Sequence, residues 1–262
     1  MDDFKDKVVI VTGSGNGIGK GIAELFAKRG AHVVLATYLE SEGLAVEKEL
    51  KLNGLSAYYI QTDVRSEDSI KNMVEKTFST FNSIDILVNN AGVTVFKPLI
   101  EANSEDWNLV IDTDLKGVFF CSKYVSSKMI ENGSQGAIIN ISSNHAYRTL
   151  PDTEMYAAAK GGVIAMAKSM ALSLGKYGIR VNTVSPGFTD THHYQKWLGS
   201  KEDPIEIEKE VNALHSTGAI STPNDIANLV CFLASDQSKN ITGVDYLIDG
   251  GLTARLYHSE KF

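Results

Sequence analysis

The amino-acid sequence predicts an α/β fold in which one doubly wound parallel sheet of about seven strands carries helices on both faces. Short runs rich in β-branched residues alternate along the chain with longer segments of helical periodicity. Several of the short runs are apolar almost throughout, as strands covered on both faces must be. No linker rich in Pro, Gly or Ser interrupts the alternation, so the 262 residues are expected to form one domain.

The expected elements follow one another at regular intervals. The expected strands cover residues 7–12, 32–36, 56–62, 84–88, 136–142, 179–185 and 244–249. The expected helices fill most of the gaps, at residues 17–29, 41–52, 67–81, 104–129, 156–177 and 224–234. Because strands alternate with helices, each strand is expected to be parallel to its neighbours.

Composition and charge exclude several classes of partner. The chain is 43% hydrophobic and 22% charged, which supplies enough apolar material for a sizeable core. Its formal net charge is −7, and Lys and Arg form no run, so neither nucleic acid nor an anionic membrane is an expected partner. We therefore expect a small molecule or another protein as the partner.

The chain shows no signal for membrane insertion, secretion or metal binding. No apolar stretch approaches the roughly 20 residues that span a bilayer, and the first residues, MDDFKDK, lack the basic and apolar regions of a signal peptide. These features predict a cytoplasmic protein. Cys121 and Cys231 each lie in an apolar, helix-like segment and are expected to be inert core thiols. His192 and His193 are adjacent and lack a third ligand, so no metal site is expected.

A glycine-rich segment follows the first expected strand. Gly13, Gly17 and Gly19 stand where the strand gives way to a helix. Glycine permits a tight turn and lets the backbone approach a pyrophosphate, which the N–H groups of a helix N-terminus favour. The spacing departs from G-x-G-x-x-G, and no G-K-[ST] sequence follows as it would in a P-loop. The segment therefore indicates nucleotide binding, with a plain tight connection as the alternative.

Two asparagines end the fourth expected strand, in the sequence ILVNNAGV. Ligands of open α/β sheets bind outside the carboxyl ends of the strands, so these amides are placed to face a cofactor. The alternative is an amide-rich turn in which Asn90 satisfies backbone groups.

Tyr156 and Lys160 stand four residues apart near the start of an expected helix, and therefore project from one face of it. A tyrosine hydroxyl titrates near pH 10 in water, and a neighbouring ammonium favours its ionised form. Ser143, at the end of the preceding strand, is placed to hydrogen-bond the same alcohol oxygen. The three residues suit proton transfer to or from an alcohol. The alternative is an ordinary helix with a half-buried Tyr and a Lys that extends to the surface.

Together these segments resemble the short-chain dehydrogenase/reductase family. The resemblance is carried, in order, by Thr12-Gly13-x-x-x-Gly17-x-Gly19, Asn89-Asn90-Ala91-Gly92, Ser143, Tyr156-x-x-x-Lys160, Ser185-Pro186-Gly187 and Ile248-Asp249-Gly250-Gly251. It implies a Rossmann-type fold, a nicotinamide cofactor and a homotetramer. It also implies a cofactor half at about residues 1–150, a catalytic and substrate half at about 140–262, and a lid at about 188–217.

The resemblance implies an oxidoreductase that interconverts a secondary alcohol and a ketone on a cyclic or small substrate of the sugar, polyol or hydroxysteroid type. Tyr156 would be the general acid/base, Lys160 would support it and bind the nicotinamide ribose, and Ser143 would hold the substrate oxygen. The other implied substrate contacts are His145, Tyr194 and Trp197. The implied cofactor contacts are Gly13, Ser14, Asn16, Gly17, Ile18, Gly19, Thr37, Tyr38, Asp63, Val64, Asn90, Ala91, Gly92, Tyr156, Lys160, Pro186, Gly187, Thr189 and Thr191.

Asp114 departs from the family pattern. The family usually has an asparagine here, in N-x-x-G, as a fourth catalytic residue, whereas this chain reads DTDLKG. An aspartate still accepts hydrogen bonds but adds a charge near Lys160. This departure keeps open a non-catalytic NADP(H)-binding sensor with the same fold. An S-adenosylmethionine methyltransferase shares the glycine-rich turn but has no use for the Tyr156 and Lys160 pair.

Thr37 departs from the pattern that selects the cofactor. NAD-binding members usually end the second strand with an acid that binds the ribose 2′-hydroxyl, and Thr37 stands at that position. The missing acid favours NADP(H) over NAD(H). No basic residue replaces it, because Asn16 and Tyr38 occupy the positions where NADP-binding relatives often carry one. Use of both cofactors is therefore left open.

Overall fold

A computed structural model describes residues 3–256, and within this range seven strands form one parallel sheet. The strands are β1 (Val8–Thr12), β2 (His32–Thr37), β3 (Ala57–Gln61), β4 (Ile86–Asn89), β5 (Gly136–Ile141), β6 (Ile179–Pro186) and β7 (Asp245–Ile248). They lie in the order β3-β2-β1-β4-β5-β6-β7, and every neighbouring pair is parallel. The predicted doubly wound sheet is confirmed.

Helices cover both faces of the sheet. They are α1 (Gly17–Lys28), α2 (Glu40–Leu52), α3 (Glu67–Phe81), α4 (Ser104–Ile111), α5 (Gly117–Glu131), α6 (Glu154–Leu174), α7 (His192–Leu198), α8 (Pro204–Ala213) and α9 (Pro223–Ala234). Side chains of α1, α2 and α9 share one apolar cluster, and side chains of α3, α5 and α6 share a second one across the sheet. Strands β1 to β6 supply both clusters, because successive residues point to opposite faces, whereas β7 contributes to the first cluster alone.

Strand β1 shows how the two faces are filled. Val9 and Val11 pack into the first cluster and Ile10 into the second, and all three are fully buried. A strand buried on both faces has no polar side to expose. This explains the uninterrupted apolar sequence from which the strand was predicted.

The predicted helix at 104–129 is interrupted in the structure. It consists of α4 and α5, joined by one π-helical turn at Asp112–Lys116. Such turns contain one residue more than an α-helical turn and are frequent at functional sites. The turn holds Asp114 fully buried. Hydrophobic periodicity does not register one extra residue, so the sequence predicts a continuous helix.

Strand order places the ligand-binding edge of the sheet. The order of the strands reverses between β1 and β4, where chain connections leave in opposite directions. A crevice opens outside the carboxyl ends of the strands at such a point. The glycine-rich segment after β1 and the asparagines that end β4 both lie there.

Both cysteines are buried and free, in helices α5 and α9. Burial raises the pKa of the Cys121 and Cys231 thiols to about 12, which keeps them protonated and unreactive as predicted. No helix within residues 3–256 is both long and apolar enough to cross a bilayer.

Replacement of Ile138 by Ala tests the packing at the centre of the sheet. Ile138 is fully buried in β5, between Leu87 and Val181 of the adjacent strands. We expect the change to lower the free energy of unfolding by about 2–5 kcal/mol, because it removes apolar contacts and leaves a cavity. Urea titration followed by circular dichroism measures it. Leu52→Ala is the control, since Leu52 is 78% exposed, and equal losses in both variants would contradict this packing.

Candidate active site

Hydrogen bonds join the loop after β1 to the loop after β4. The Thr12 hydroxyl accepts from the backbone N–H groups of Asn90 and Ala91 at 3.0 and 3.1 Å. The Asn90 amide nitrogen donates to the carbonyl oxygens of Thr12 and Gly13, both at 3.0 Å. Asn90 therefore satisfies backbone groups, as the alternative interpretation stated, and in doing so fixes two walls of one cavity.

Glycine is required at two positions in this region by close approach. Gly13 has φ +65°, and a Cβ atom there would lie 2.8 Å from the Ala91 Cα atom. A Cβ atom on Gly19 would lie 2.2 Å from the Gly13 carbonyl oxygen. Neither position accommodates a side chain, because the glycine-rich loop packs directly against the loop after β4 and against the first turn of α1.

The N-terminus of α1 carries no side-chain cap. Asn16 precedes the helix, but its side chain makes no capping hydrogen bond and donates instead to Glu42 at 2.9 Å. The N–H groups of the first turn thus have no side-chain acceptor. Uncapped N–H groups beside a glycine-rich turn suit a phosphate oxygen.

A cavity of about 450 Å³ lies at this edge of the sheet. Such a volume lies within the range of small-molecule sites. Most of the predicted cofactor contacts line it: Gly13, Asn16, Gly17, Ile18, Gly19, Thr37, Tyr38, Asp63, Val64, Asn90, Ala91, Gly92 and Thr191. The predicted contacts outside its lining are Ser14, Tyr156, Lys160, Pro186, Gly187 and Thr189. Ser14 is fully buried, and its hydroxyl has no hydrogen-bond partner among the described residues.

Two charged residues of this cavity were missed by the sequence analysis. Glu42, in the first turn of α2, and Arg65, just after β3, both line it. Arg65 donates two side-chain hydrogen bonds to the Asp63 carboxylate, at 2.9 and 2.8 Å, and lies over the Tyr38 ring at 5.4 Å. These bonds hold the pKa of Asp63 below its ordinary value. The sequence feature that could have indicated Arg65 is its position two residues after Asp63.

Lys160 is buried next to Tyr156 and has two oxygen partners. Its ammonium donates to the Ile141 carbonyl oxygen at 3.2 Å and pairs with the Asp114 carboxylate at 3.2 Å. The nitrogen lies 5.5 Å from the centre of the Tyr156 ring. The structure therefore brings together the pair that the sequence selected, with Asp114 behind it.

The charges of Asp114 and Lys160 oppose the effect of burial. Burial raises the pKa of the Asp114 carboxyl above its ordinary value, although the nearby ammonium acts against this. Burial would lower the pKa of Lys160, but the charge and hydrogen bond of Asp114, together with the nearby Tyr156, raise that pKa above its ordinary value. The Val93 backbone N–H also donates to Asp114 at 2.8 Å. Lys160 is thus held in its charged form.

Ser143 and His145 lie at the start of the short helical turn after β5. The Ser143 hydroxyl accepts from the His145 backbone N–H at 3.2 Å and donates to the Asn144 side-chain oxygen at 3.3 Å. The His145 ring stands edge-on to the Tyr156 ring, with 5.4 Å between their centres. Burial lowers the pKa of His145, which favours the neutral imidazole at physiological pH.

The predicted lid is a segment that leaves the sheet and returns to it at nearly the same point. Thr189 pairs with Ser221, so both ends of the segment meet at its base. Thr191 caps α7 by accepting from the Tyr194 backbone N–H at 3.2 Å. A Cβ atom on Gly187 would lie 2.8 Å from the Asp249 Cβ atom, which seats the base against the loop after β7.

The predicted lid has a small apolar cluster of its own. It contains Tyr194, Leu198 and Val211, with Phe188, Trp197, Ile207 and Ile220 packed against them. Tyr194 is only 5% exposed, and its role as a substrate contact, like that of Trp197, stays a prediction. His215 is buried with its ring edge-on to Phe188, and no partner for its Nε2 atom occurs among the described residues. Residues 3–256 contain no group of three or more side chains placed to hold a metal ion, the adjacent His192 and His193 included.

Comparisons with known proteins agree with this geometry. A family model described as enoyl-(acyl carrier protein) reductase matches residues 13–253. An uncharacterized oxidoreductase of Thermotoga maritima is 43% identical over 98% of this chain and 100% of its own length. A cis-4-hydroxycyclohexanecarboxylate dehydrogenase of Sinomonas cyclohexanicum is 36% identical over 96% of this chain and 98% of its own. The crystal structure of a short-chain type dehydrogenase/reductase from Mycobacterium marinum, 28% identical, matches with a TM-score of 0.89 over 97% of this chain and 98% of that one.

A double-mutant cycle tests the buried ion pair. Lys160→Met leaves the Asp114 carboxylate buried without its cation, and we expect a loss of about 3 kcal/mol in the free energy of unfolding at pH 7. Asp114→Asn in the same chain removes that charge, so the double variant should be more stable than Lys160→Met alone. Urea titration of the four proteins measures the coupling.

The control is a surface pair on the same π-helical turn. Lys116 and Asp112 lie 3.1 Å apart with side chains 44% and 36% exposed, and their coupling should stay below about 1 kcal/mol. If the effects of Asp114→Asn and Lys160→Met simply add, the pair does not neutralise itself as described.

Proposed function

The chain belongs to the short-chain dehydrogenase/reductase family, and from this membership we propose that it is an NAD(P)-dependent oxidoreductase that interconverts a secondary alcohol and a ketone. The observation that carries the proposal is the buried Lys160 ammonium, which lies beside Tyr156 and close to Gly92 of the glycine-lined cavity. A charged group with no surface role is costly to bury, so its retention next to a tyrosine favours a chemical function.

The donors around the cavity fit a nicotinamide dinucleotide. Gly13, Gly17 and the first turn of α1 would hold the pyrophosphate, and Asp63 with Val64 would face the adenine. Lys160 would bind the nicotinamide ribose. When bound, the nicotinamide takes the hydride from an alcohol carbon and returns it to a carbonyl carbon in the reverse direction.

Tyr156 moves the proton that accompanies this transfer. In reduction its hydroxyl donates the proton to the carbonyl oxygen, and in oxidation its ionised form takes the proton from the alcohol. The Lys160 ammonium lies 5.5 Å from the centre of the Tyr156 ring, on the same face of α6. Ser143 donates a hydrogen bond to the same substrate oxygen, which requires it to leave a long bond of 3.3 Å to Asn144.

Asp114 supports this chemistry indirectly. It fixes the position and the charge of Lys160, so an aspartate would serve where the family pattern has asparagine. The alternative of a non-catalytic sensor rests on this substitution alone. Binding of a reduced dinucleotide with no turnover of any substrate would favour the sensor.

The substrate is proposed to be a cyclic or small alcohol. His145 stands beside Tyr156, and the aromatic side chains of the predicted lid, Trp197 among them, would contact a ring of the substrate. The Sinomonas relative, named for a cyclic hydroxy acid, supports a cyclic substrate.

The cytoplasm remains the predicted location.

The choice of cofactor is separate from the reaction. The preference for NADP(H) rests on Thr37 in place of an acid at the end of β2, and it stays a prediction. The cavity also contains the Glu42 carboxylate, whose effect on this choice is considered below.

A spectrophotometric assay tests the activity. Purified protein is mixed with NAD(H) or NADP(H) and with hydroxycyclohexanecarboxylates, sugars, polyols, hydroxysteroids and their ketones, and absorbance of the reduced nicotinamide is followed in both directions. An enoyl thioester belongs in the panel because of the description of the matched family model. We expect turnover of an alcohol or ketone, and turnover of the enoyl thioester alone would overturn the proposed reaction.

Tyr156→Phe tests the proton transfer. We expect the turnover number to fall by about 10²–10⁴-fold, because the ring is kept and the proton donor is lost. Affinity for the dinucleotide, measured by calorimetry, should stay within about threefold. Tyr177→Phe is the matched control, since Tyr177 lies beyond the far end of α6 and is 43% exposed. Full turnover in Tyr156→Phe would sink the assigned role.

A homotetramer is proposed on the basis of the family and of exposed apolar side chains. Phe119 on α5, Leu172 on α6 and Leu247 on β7 are 45%, 85% and 43% exposed, respectively. We expect light scattering after gel filtration to give a mass of about four times the 28.5 kDa of one chain. A mass of a single chain at micromolar concentration would contradict this assembly.

A further inference from the structure

The Glu42 carboxylate stands where the missing acid of β2 would be needed. A Cβ atom on Gly15 would lie 2.6 Å from the Glu42 Oε2 atom and 3.2 Å from the Thr37 hydroxyl oxygen. Both residues line the cavity, and Glu42 is half-buried. The carboxylate therefore reaches the carboxyl end of β2 from the adjacent helix.

Helix α2 approaches the sheet closely enough to place it there. A Cβ atom on Gly43 would lie 2.2 Å from the Tyr59 ring and 3.0 Å from the Thr37 Cγ2 atom, so only glycine permits this contact. Glu42, the neighbour of Gly43 in the first turn, is carried to the edge of the cavity. The positive end of the helix dipole favours its charge.

The negative charge of Glu42 has no cationic partner within the described range, residues 3–256. Asn16 donates to Oε2 at 2.9 Å, and no described residue donates to the second oxygen, Oε1. Arg65, the cation that lines the same cavity, is bound by the Asp63 carboxylate and lies over the Tyr38 ring. The cavity thus presents one uncompensated carboxylate and one cation that is already paired.

We propose that Glu42 replaces the acid at the end of β2 as the acceptor for the adenosine ribose hydroxyls, and that it thereby selects NAD(H) over NADP(H). Its carboxylate accepts hydrogen bonds from a ribose that carries free hydroxyls, and its charge repels a ribose that carries a 2′-phosphate. This inference rests on the proposed binding of a nicotinamide dinucleotide, and it reverses the NADP(H) preference predicted from Thr37.

Calorimetric titration of the full chain with ADP-ribose and with 2′-phospho-ADP-ribose tests the inference. Neither probe carries the nicotinamide, so the readout is independent of activity. We expect the wild type to bind ADP-ribose at least about tenfold more tightly than its 2′-phosphorylated form. Glu42→Gln should reduce this discrimination to within about threefold, mainly by tighter binding of the phosphorylated probe.

Glu40→Gln is the matched control. Glu40 lies in the same first turn, carries the same charge and is exposed, but it does not line the cavity. This variant should retain the wild-type discrimination.

In the wild type, raising the salt concentration should weaken the discrimination, because salt screens repulsion between charges near the surface.

The outcomes separate this inference from the proposed function. Equal or tighter binding of the 2′-phosphorylated probe by the wild type would overturn the inference and leave the proposed oxidoreductase standing. Discrimination that survives in Glu42→Gln, or that salt does not alter, would also overturn it. Binding of neither probe would overturn dinucleotide binding itself, and the inference with it.

Discussion

The buried ammonium group of Lys160 is the constraint on which the active site depends. A cation in the interior needs an anion and fixed hydrogen-bond acceptors close by. Asp114 supplies the anion at 3.2 Å, and the carbonyl oxygen of Ile141 supplies the acceptor at the end of β5. Asp114 reaches this position from the π-helical turn between α4 and α5, so these two helices position the ion pair.

The same ion pair determines how closely the neighbouring loop can approach. A Cβ atom on Gly92 would lie 3.0 Å from the Asp114 carboxylate and 3.2 Å from the Lys160 nitrogen. Glycine at this position therefore lets the loop after β4 cover the pair and shield it from water. The loop is held in turn by Thr12 and Asn90, so it forms one wall of the glycine-lined cavity and also covers the Lys160–Asp114 pair. The loop after β4 therefore connects the glycine-lined cavity with the buried ion pair.

The sequence predicts the sheet well and also yields the proposed catalytic residues, because both leave local signals. β-branched runs mark strands that are buried on both faces, and Tyr156 with Lys160 is visible as a spacing of four. Glu42 leaves no such signal, since its position depends on the close packing of α2 against β2 at Gly43. The π-helical turn at Asp112–Lys116 is equally silent, because one additional residue barely alters the periodicity. Contacts between elements that are distant in sequence are what local patterns omit.

The two ends of the predicted lid are joined at its base, so the stability of the sheet depends little on the sequence of this segment. Phe188 and Asp190 both form backbone hydrogen bonds with Ser221, and the segment between the two ends packs mainly on its own apolar cluster. The sheet thus loses little support if the segment changes in length or composition. We therefore expect the segment to tolerate insertion, deletion or exchange as a unit, while the scaffold that holds Tyr156 and Lys160 stays intact.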